Sequence, residues 1–163
     1  MRLRTILLFF PGIILTTSCN VSSKSKDTTT AATNTTTHVV PGINFIEEDW
    51  DLALKKAQAQ NKLLFIDIYA TWCGPCKMLK QYTFTDSTVG DFFNKNFVNI
   101  SIDAEKGVGP ELAHQFSVEG YPTLIVADAS GKPVLFTMGY VPADYLLQFA
   151  NEAVKRNQLQ PKL

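Results

Sequence analysis

The chain has 163 residues, enough for one compact domain with extensions and too few for two full domains. Fifteen basic and fifteen acidic residues cancel, so nothing in the charge points to a nucleic-acid partner or a polybasic membrane patch. A hydrophobic fraction of 45% and a charged fraction of 18% are those of an ordinary globular protein, so function must be read from local chemistry.

Arg2 and Arg4 open the chain, and an apolar run from Ile6 to Leu15 follows. The run is too short to span a bilayer as a helix, and Pro11-Gly12 interrupts it. Small residues Thr16, Thr17 and Ser18 then lead to Cys19, the layout of a secretory signal peptide over residues 1–18. Three cysteines occur in all: Cys19 ends this leader, while Cys73 and Cys76 stand as C-x-x-C. The odd count divides into one candidate lipid-attachment site and one candidate redox pair. A cysteine directly after small residues resembles a bacterial lipoprotein signal, although Thr16 takes the place where that pattern prefers Leu and Leu15 lies one residue earlier. The resemblance implies a lipid on Cys19, membrane contact through it, and export to the periplasmic side of the cell envelope. A plain cleaved signal and a short uncleaved anchor are the alternatives. From Asn20 to His38 the chain is Ser, Thr, Asn, Lys and Ala with almost nothing apolar. Such a segment cannot offset its ordering entropy, so residues 19–40 read as a disordered tether that reaches about 25 Å.

Periodicity begins near Ile43, and the folded part is expected over residues 41–160. Trp50, Leu52, Ala53, Leu54 and Ala57 recur at near-helical spacing, which predicts an amphipathic helix over 48–60. Leu63 to Ala70 is an apolar run of strand length, the pattern of a strand buried on both faces. Residues 74–82 and 87–95 read as helical, 97–103 as a strand, and 110–116 as a helix. Thr123–Ala127 and Pro133–Met138 read as strands joined by the turn Asp128-Ala129-Ser130-Gly131. Pro142 opens a last helix with Tyr145, Leu146, Phe149, Ala150, Ala153 and Val154 on one face. Strands alternating with helices, closed by a hairpin and a helix, predict an α/β domain. A domain of this size needs no disulfide staple to fold, so the cysteine pair is free for chemistry.

Trp72-Cys73-Gly74-Pro75-Cys76-Lys77, directly after the buried strand, resembles the active-site motif of the thioredoxins. Gly120-Tyr121-Pro122-Thr123 matches the other half of that site. The resemblance covers about residues 45–157 and implies a thioredoxin fold, with a central mixed sheet of about five strands flanked by helices. It implies thiol–disulfide exchange with a redox-active Cys73–Cys76 disulfide and no other cofactor. Cys73, at the start of a helix near unpaired N–H groups, would be the attacking thiolate. Cys76, one turn in and less exposed, would resolve the mixed disulfide. Pro75 would stiffen the first turn, where its missing N–H costs little. Half of a zinc site and a purely structural disulfide are the other readings of this pair, but His38, His114 and Cys19 are not spaced to complete a zinc site.

Asp67 lies mid-strand, six residues before Cys73. A buried carboxylate should have a raised pKa, which suits proton exchange with Cys76. In thioredoxins an Asp at this spacing has that role; an Asp at a strand end facing water is the alternative. The family usually places a Lys near this Asp from the next strand, and the register expected here puts Asn99 at that position. Pro122 is implied to be a cis proline facing the C-x-x-C, with the preceding backbone pairing with the substrate chain. An ordinary trans proline in a connecting loop is the alternative. Trp72, Gly74, Pro75, Tyr121, Pro122 and Thr123 are thereby the expected substrate-contact residues. Trp72 would cover the site and Tyr121 would influence partner choice, while Gly139 reads either as allowing close approach or as a turn glycine.

Tyr82-Thr83-Phe84-Thr85-Asp86-Ser87-Thr88-Val89 further resembles a stretch of the DsbD-like envelope thioredoxins, with Phe84 and Val89 as core. This implies a membrane thiol electron donor and oxidised envelope proteins as substrates. Gly-Pro between the cysteines is the dipeptide of reducing thioredoxins. Three functions therefore compete: a protein-disulfide reductase, an isomerase or oxidant using the same residues, and a non-catalytic binding lipoprotein. A monomer is expected, since no exposed apolar stripe stands out.

Overall fold

The computed structural model describes residues 41–159. The segments expected to be a signal peptide and a tether, and Cys19 between them, fall outside the described residues.

Two caps show how local chemistry sets the element boundaries. α1 (Trp50–Gln60) begins after Asp49, whose carboxylate accepts the Leu52 N–H at 3.0 Å, so the helix starts two residues later than the periodicity suggests. It ends at Asn61, which takes the left-handed conformation at φ 49°. α3 (Ser87–Asn96) is capped in the same way by Asp86, which accepts the Val89 N–H at 2.9 Å.

Five strands form one mixed sheet: β1 (Phe45–Glu47), β2 (Leu63–Tyr69), β3 (Phe97–Asp103), β4 (Thr123–Ala127) and β5 (Pro133–Met138). Their order is β1-β3-β2-β4-β5, with β1, β3 and β2 parallel and β4 and β5 antiparallel to their neighbours. The mixed five-stranded sheet expected from sequence is what the chain forms. β2 is central, and its alternate residues enter two cores. Leu63 and Phe65 join Leu79, Phe84, Val89, Phe93 and the last helix, α5 (Ala143–Leu159), on one side. Leu64, Ile66 and Ile68 join Ala53 and Ala57 of α1 and Leu112 of α4 (Gly109–Gln115) on the other. That two-sided burial explains why β2 carries no polar alternation. The first core is phenylalanine-rich, with the Phe65 and Phe93 rings 4.5 Å apart in an edge-to-face contact. α3 also crosses the start of the domain closely, since a Cβ at Gly90 would collide with the Gly42 backbone.

The segment after the cysteines is not one straight helix. α2 (Gly74–Met78) passes into a π-helical turn at Leu79–Thr83, closed by Phe84 N–H donating to the Leu79 carbonyl at 2.8 Å. Such insertions recur at functional sites. Because β4 runs antiparallel to β2, Ile68 near the end of β2 pairs with Thr123 at the start of β4. Thr123 pairs in turn with Met138 at the end of β5. The loops after β2, before β4 and after β5 therefore meet at one end of the sheet.

Candidate active site

Cys73 and Cys76 are joined in a disulfide with their Cα atoms 5.3 Å apart. Cys73 is the N-cap of α2, and its Sγ accepts the Cys76 N–H at 3.1 Å. A donor held against that sulfur favours its thiolate once the pair is reduced. The expected difference in exposure is small, since Cys73 is 4% and Cys76 2% exposed. The asymmetry between the two sulfurs comes from the cap position. Gly74 and Pro75 are exposed, and a Cβ on Gly74 would meet nothing within 4 Å, so the approach over the disulfide is open.

The Tyr121–Pro122 bond is cis, as the family resemblance implied. Tyr121 packs against Ala70, Cys73 and Cys76, which brings the proline loop to the disulfide. Thr123 Oγ1 donates to the Gly120 carbonyl at 2.7 Å and ties the loop's two ends together. Trp72 is 65% exposed, its ring edge-on to Tyr121 at 5.9 Å. Its Nε1–H donates to Glu105 at 2.9 Å, which fixes the indole beside Tyr121. Gly139 sits beyond β5 with its N–H donating to the Pro122 carbonyl at 2.8 Å. Its φ of +88° is what demands glycine, because a Cβ there would touch nothing. Of the two sequence readings, the turn glycine is the one the geometry matches.

Asp67 is 1% exposed. It lies on the same face of β2 as Leu63 and Phe65, the face against which Leu79 of the site segment packs. Ser101 Oγ donates to its Oδ2 at 3.1 Å, while Oδ1 has no protein hydrogen-bond partner. Burial pushes this carboxyl up from 3.8 to about 7, against the opposing pull of Lys80 and the Ser101 hydrogen bond. A carboxyl that titrates near neutrality can both take and give a proton at physiological pH.

Asn99 does not stand opposite Asp67 but lies diagonally from it on the same face of the sheet. β2 pairs Asp67 with Ser101, whereas Asn99 pairs with Phe65 and with Phe45 of β1. The Asn99 amide donates instead to Asn94 Oδ1 at 3.2 Å and the Asn44 carbonyl at 3.3 Å, so it braces β1. The cation that acts on Asp67 comes from the site helix. Lys80 places its Nζ 3.4 Å from the centre of the Tyr69 ring, and its charge lowers the proton affinity of both Asp67 and Asp103. Tyr69 in turn donates to Glu48 at 3.3 Å, and Glu48 also accepts the Asp103 N–H at 2.8 Å. Sequence reasoning missed Lys80, Ser101 and Glu105. Lys80 was findable, since it stands one helical turn after Cys76. Ser101 and Glu105 depend on strand register and loop geometry.

The thioredoxin-like domain family matches residues 50–153. The thiol:disulfide interchange protein DsbD of Pseudoalteromonas atlantica is 37% identical over 89 residues, 53% of this chain and 15% of that protein. The chain therefore spans a small part of such relatives. A solved candidate disulphide-isomerase from Bacteroides thetaiotaomicron is 44% identical, with a TM-score of 0.64, covering 71% of this chain and 96% of that one. The oxidised C-terminal domain of DsbD from Neisseria meningitidis shares the fold with a TM-score of 0.57 at 23% identity, over 66% of this chain and 98% of that one. The family match takes in the cysteine disulfide, the buried Asp67 and the cis-proline loop alike, and this chain belongs to the thioredoxin-like disulfide oxidoreductases.

Proposed function

We propose that this protein is a protein-disulfide reductase of the cell envelope, working through Cys73 and Cys76. The observation that carries the reading is the Cys73 Sγ at the cap of α2, accepting the Cys76 N–H beside the cis-proline loop. In the reduced protein the Cys73 thiolate attacks one sulfur of a substrate disulfide. A Cys73–substrate disulfide forms, and the second substrate sulfur leaves as a thiolate that takes a proton. Cys76 then gives its proton to the Asp67 carboxylate and attacks the Cys73 Sγ. The Cys73–substrate bond breaks, the departing sulfur takes a proton from water and Asp67 returns its own to solvent, so the substrate leaves as a dithiol with two electrons gained and the Cys73–Cys76 disulfide of this structure is regenerated. Trp72, Gly74, Pro75, Tyr121, Pro122 and Thr123 form the surface over which the substrate chain passes. The Gly74-Pro75 dipeptide supports the reducing direction.

A dithiol donor in the membrane, of the DsbD type, would return the pair to its reduced form. A lipid on Cys19 with residues 19–40 as tether would hold a monomeric domain near that donor, and oxidised envelope proteins would be the substrates. Among the described residues, no helix is long and apolar enough to cross a membrane. The Bacteroides relative keeps isomerase activity as the second reading. Dithiothreitol-driven reduction of a protein disulfide tests the proposal. Wild type should turn over, Cys76→Ser should accumulate a mixed disulfide on Cys73, and Cys73→Ser should do neither. Capture by Cys73→Ser equal to that by Cys76→Ser would end the assignment of roles.

A further inference from the structure

Beside the proline loop, on the face of the sheet where α1 and α4 lie, is a cleft of about 270 Å³. Phe116, Val118, Ile125, Phe136 and Met138 provide its apolar lining, with Glu119 and Ser117 at the polar rim. Across β4 and β5, Thr123 pairs with Met138 and Ile125 with Phe136, so these four side chains share one face. Ile125 is covered by the core beneath α1 and α4, but Phe136 is 70% and Met138 54% exposed. β5 is an edge strand, and two large apolar side chains on its uncovered face are what a binding surface looks like.

Resting on the exchange reaction proposed above, we propose that this cleft is a specificity subsite: it receives one apolar side chain of the substrate protein, a few residues along the chain from the cysteine that Cys73 attacks. Continuity with the reacting surface is the first support. Thr123 follows Pro122 directly, and Met138 precedes Gly139, whose N–H is bonded to the Pro122 carbonyl. A Cβ on Gly120 would lie 3.1 Å from Met138 Sδ, so the Met138 side chain lies over the proline loop itself. A substrate chain crossing Tyr121 and Pro122 to reach Cys73 thus arrives at the mouth of the cleft.

Spacing sets the register. Phe136 is three residues from Gly139 along an extended strand, about 10 Å at roughly 3.3 Å per residue. An extended substrate chain covers that distance in about three residues. The cleft, at about 270 Å³, admits a Leu or Phe side chain with room to spare, since an apolar cavity of about 150 Å³ already holds a benzene. Two exposed side chains on β5 fall well short of the about 800 Å² per partner that a stable dimer buries. Glu119 at the rim opposes an acidic occupant.

The probes are symmetric peptide disulfides, so that attack on either sulfur presents the same flank. Three peptides differ only in carrying Leu, Ser or Glu three residues from the cysteine, and the second-order rate of oxidation of the reduced protein is measured with each. Bis(2-hydroxyethyl) disulfide, which has no flank, is run on wild type alone. The Leu peptide should react at least about tenfold faster than the Ser peptide, the scale set by burying one such side chain, and the Glu peptide should be slowest. Phe136→Ser and, separately, Met138→Gln should bring the Leu-to-Ser ratio towards one. Both positions are exposed, and a merely damaged fold would slow both peptides and keep their ratio. A wild-type ratio near one, or a ratio untouched by both variants, overturns the subsite. So does a wild-type dimer that Phe136→Ser dissociates, which would assign the cleft to a second copy. Failure of wild type to react with bis(2-hydroxyethyl) disulfide would instead strike the reductase reading itself.

Discussion

Replacing Asp67 with Asn should stabilise the oxidised protein at alkaline pH and leave it nearly unchanged in acid. Burial raises this carboxyl from 3.8 to about 7, so between those values the folded chain holds a proton that the unfolded chain has released. Stability is then fully present below 3.8 and falls as pH rises, until Asp67 ionises in the folded state near 7. Each pH unit in that interval costs about 1.4 kcal/mol, and the whole interval about 4 kcal/mol. Asn at this position does not titrate and can still accept the Ser101 hydroxyl, so it removes this slope. Urea unfolding of both proteins, with the disulfide intact, gives the difference directly, because every other group titrates alike in the two. The two stabilities should agree to within about 1 kcal/mol near pH 4 and separate to about 4 kcal/mol, in favour of Asn, by about pH 8. Parallel curves across this range would refute the buried, proton-holding Asp67. The variant should also slow resolution by Cys76, so the stabilised protein should be the poorer enzyme.

Lys80→Met removes the cation that opposes the rise in Asp67, so the pH at which stability stops falling should move above about 7, measured by the same unfolding series. Phe93→Ala empties a fully buried site beside Phe65 and Phe97, and should cost about 3–5 kcal/mol in urea unfolding without changing the potential of the disulfide. Gly139→Ala forces a φ of +88° on a residue with a Cβ, and should cost about 1–2 kcal/mol although nothing crowds the position.

The sequence carried the strands well because their signals are local. Leu63 to Tyr69, Thr123 to Ala127 and Pro133 to Met138 are largely apolar runs and Phe97 to Asp103 an alternating one, and their ends coincide with the strands to within a residue. Helix ends were less legible, since Asp49 and Gly109 set them through caps and backbone contacts rather than periodicity. The π-helical turn at Leu79–Thr83 left no mark, because an extra residue in one turn does not disturb the apolar spacing enough to show. The partner opposite Asp67 was hidden for a related reason: a stretch of strand does not announce its register, and the pairing of Asp67 with Ser101 follows only once β2 and β3 are set side by side. The residues given roles in the proposed exchange, Cys73, Cys76, Asp67 and Pro122, stood in two short motifs and one buried run. The residues that tune them came from elements whose facing depends on the fold.

The reduction potential of the Cys73–Cys76 pair tests the reductase reading most directly, by equilibrating residues 20–163 in graded glutathione buffers. A reductase should lie near the about −270 mV of reducing thioredoxins, with every about 30 mV worth about 1.4 kcal/mol of disulfide stability. A value between about −180 and −120 mV, the range of isomerases and oxidants, would contradict it and turn the same site towards making or rearranging disulfides.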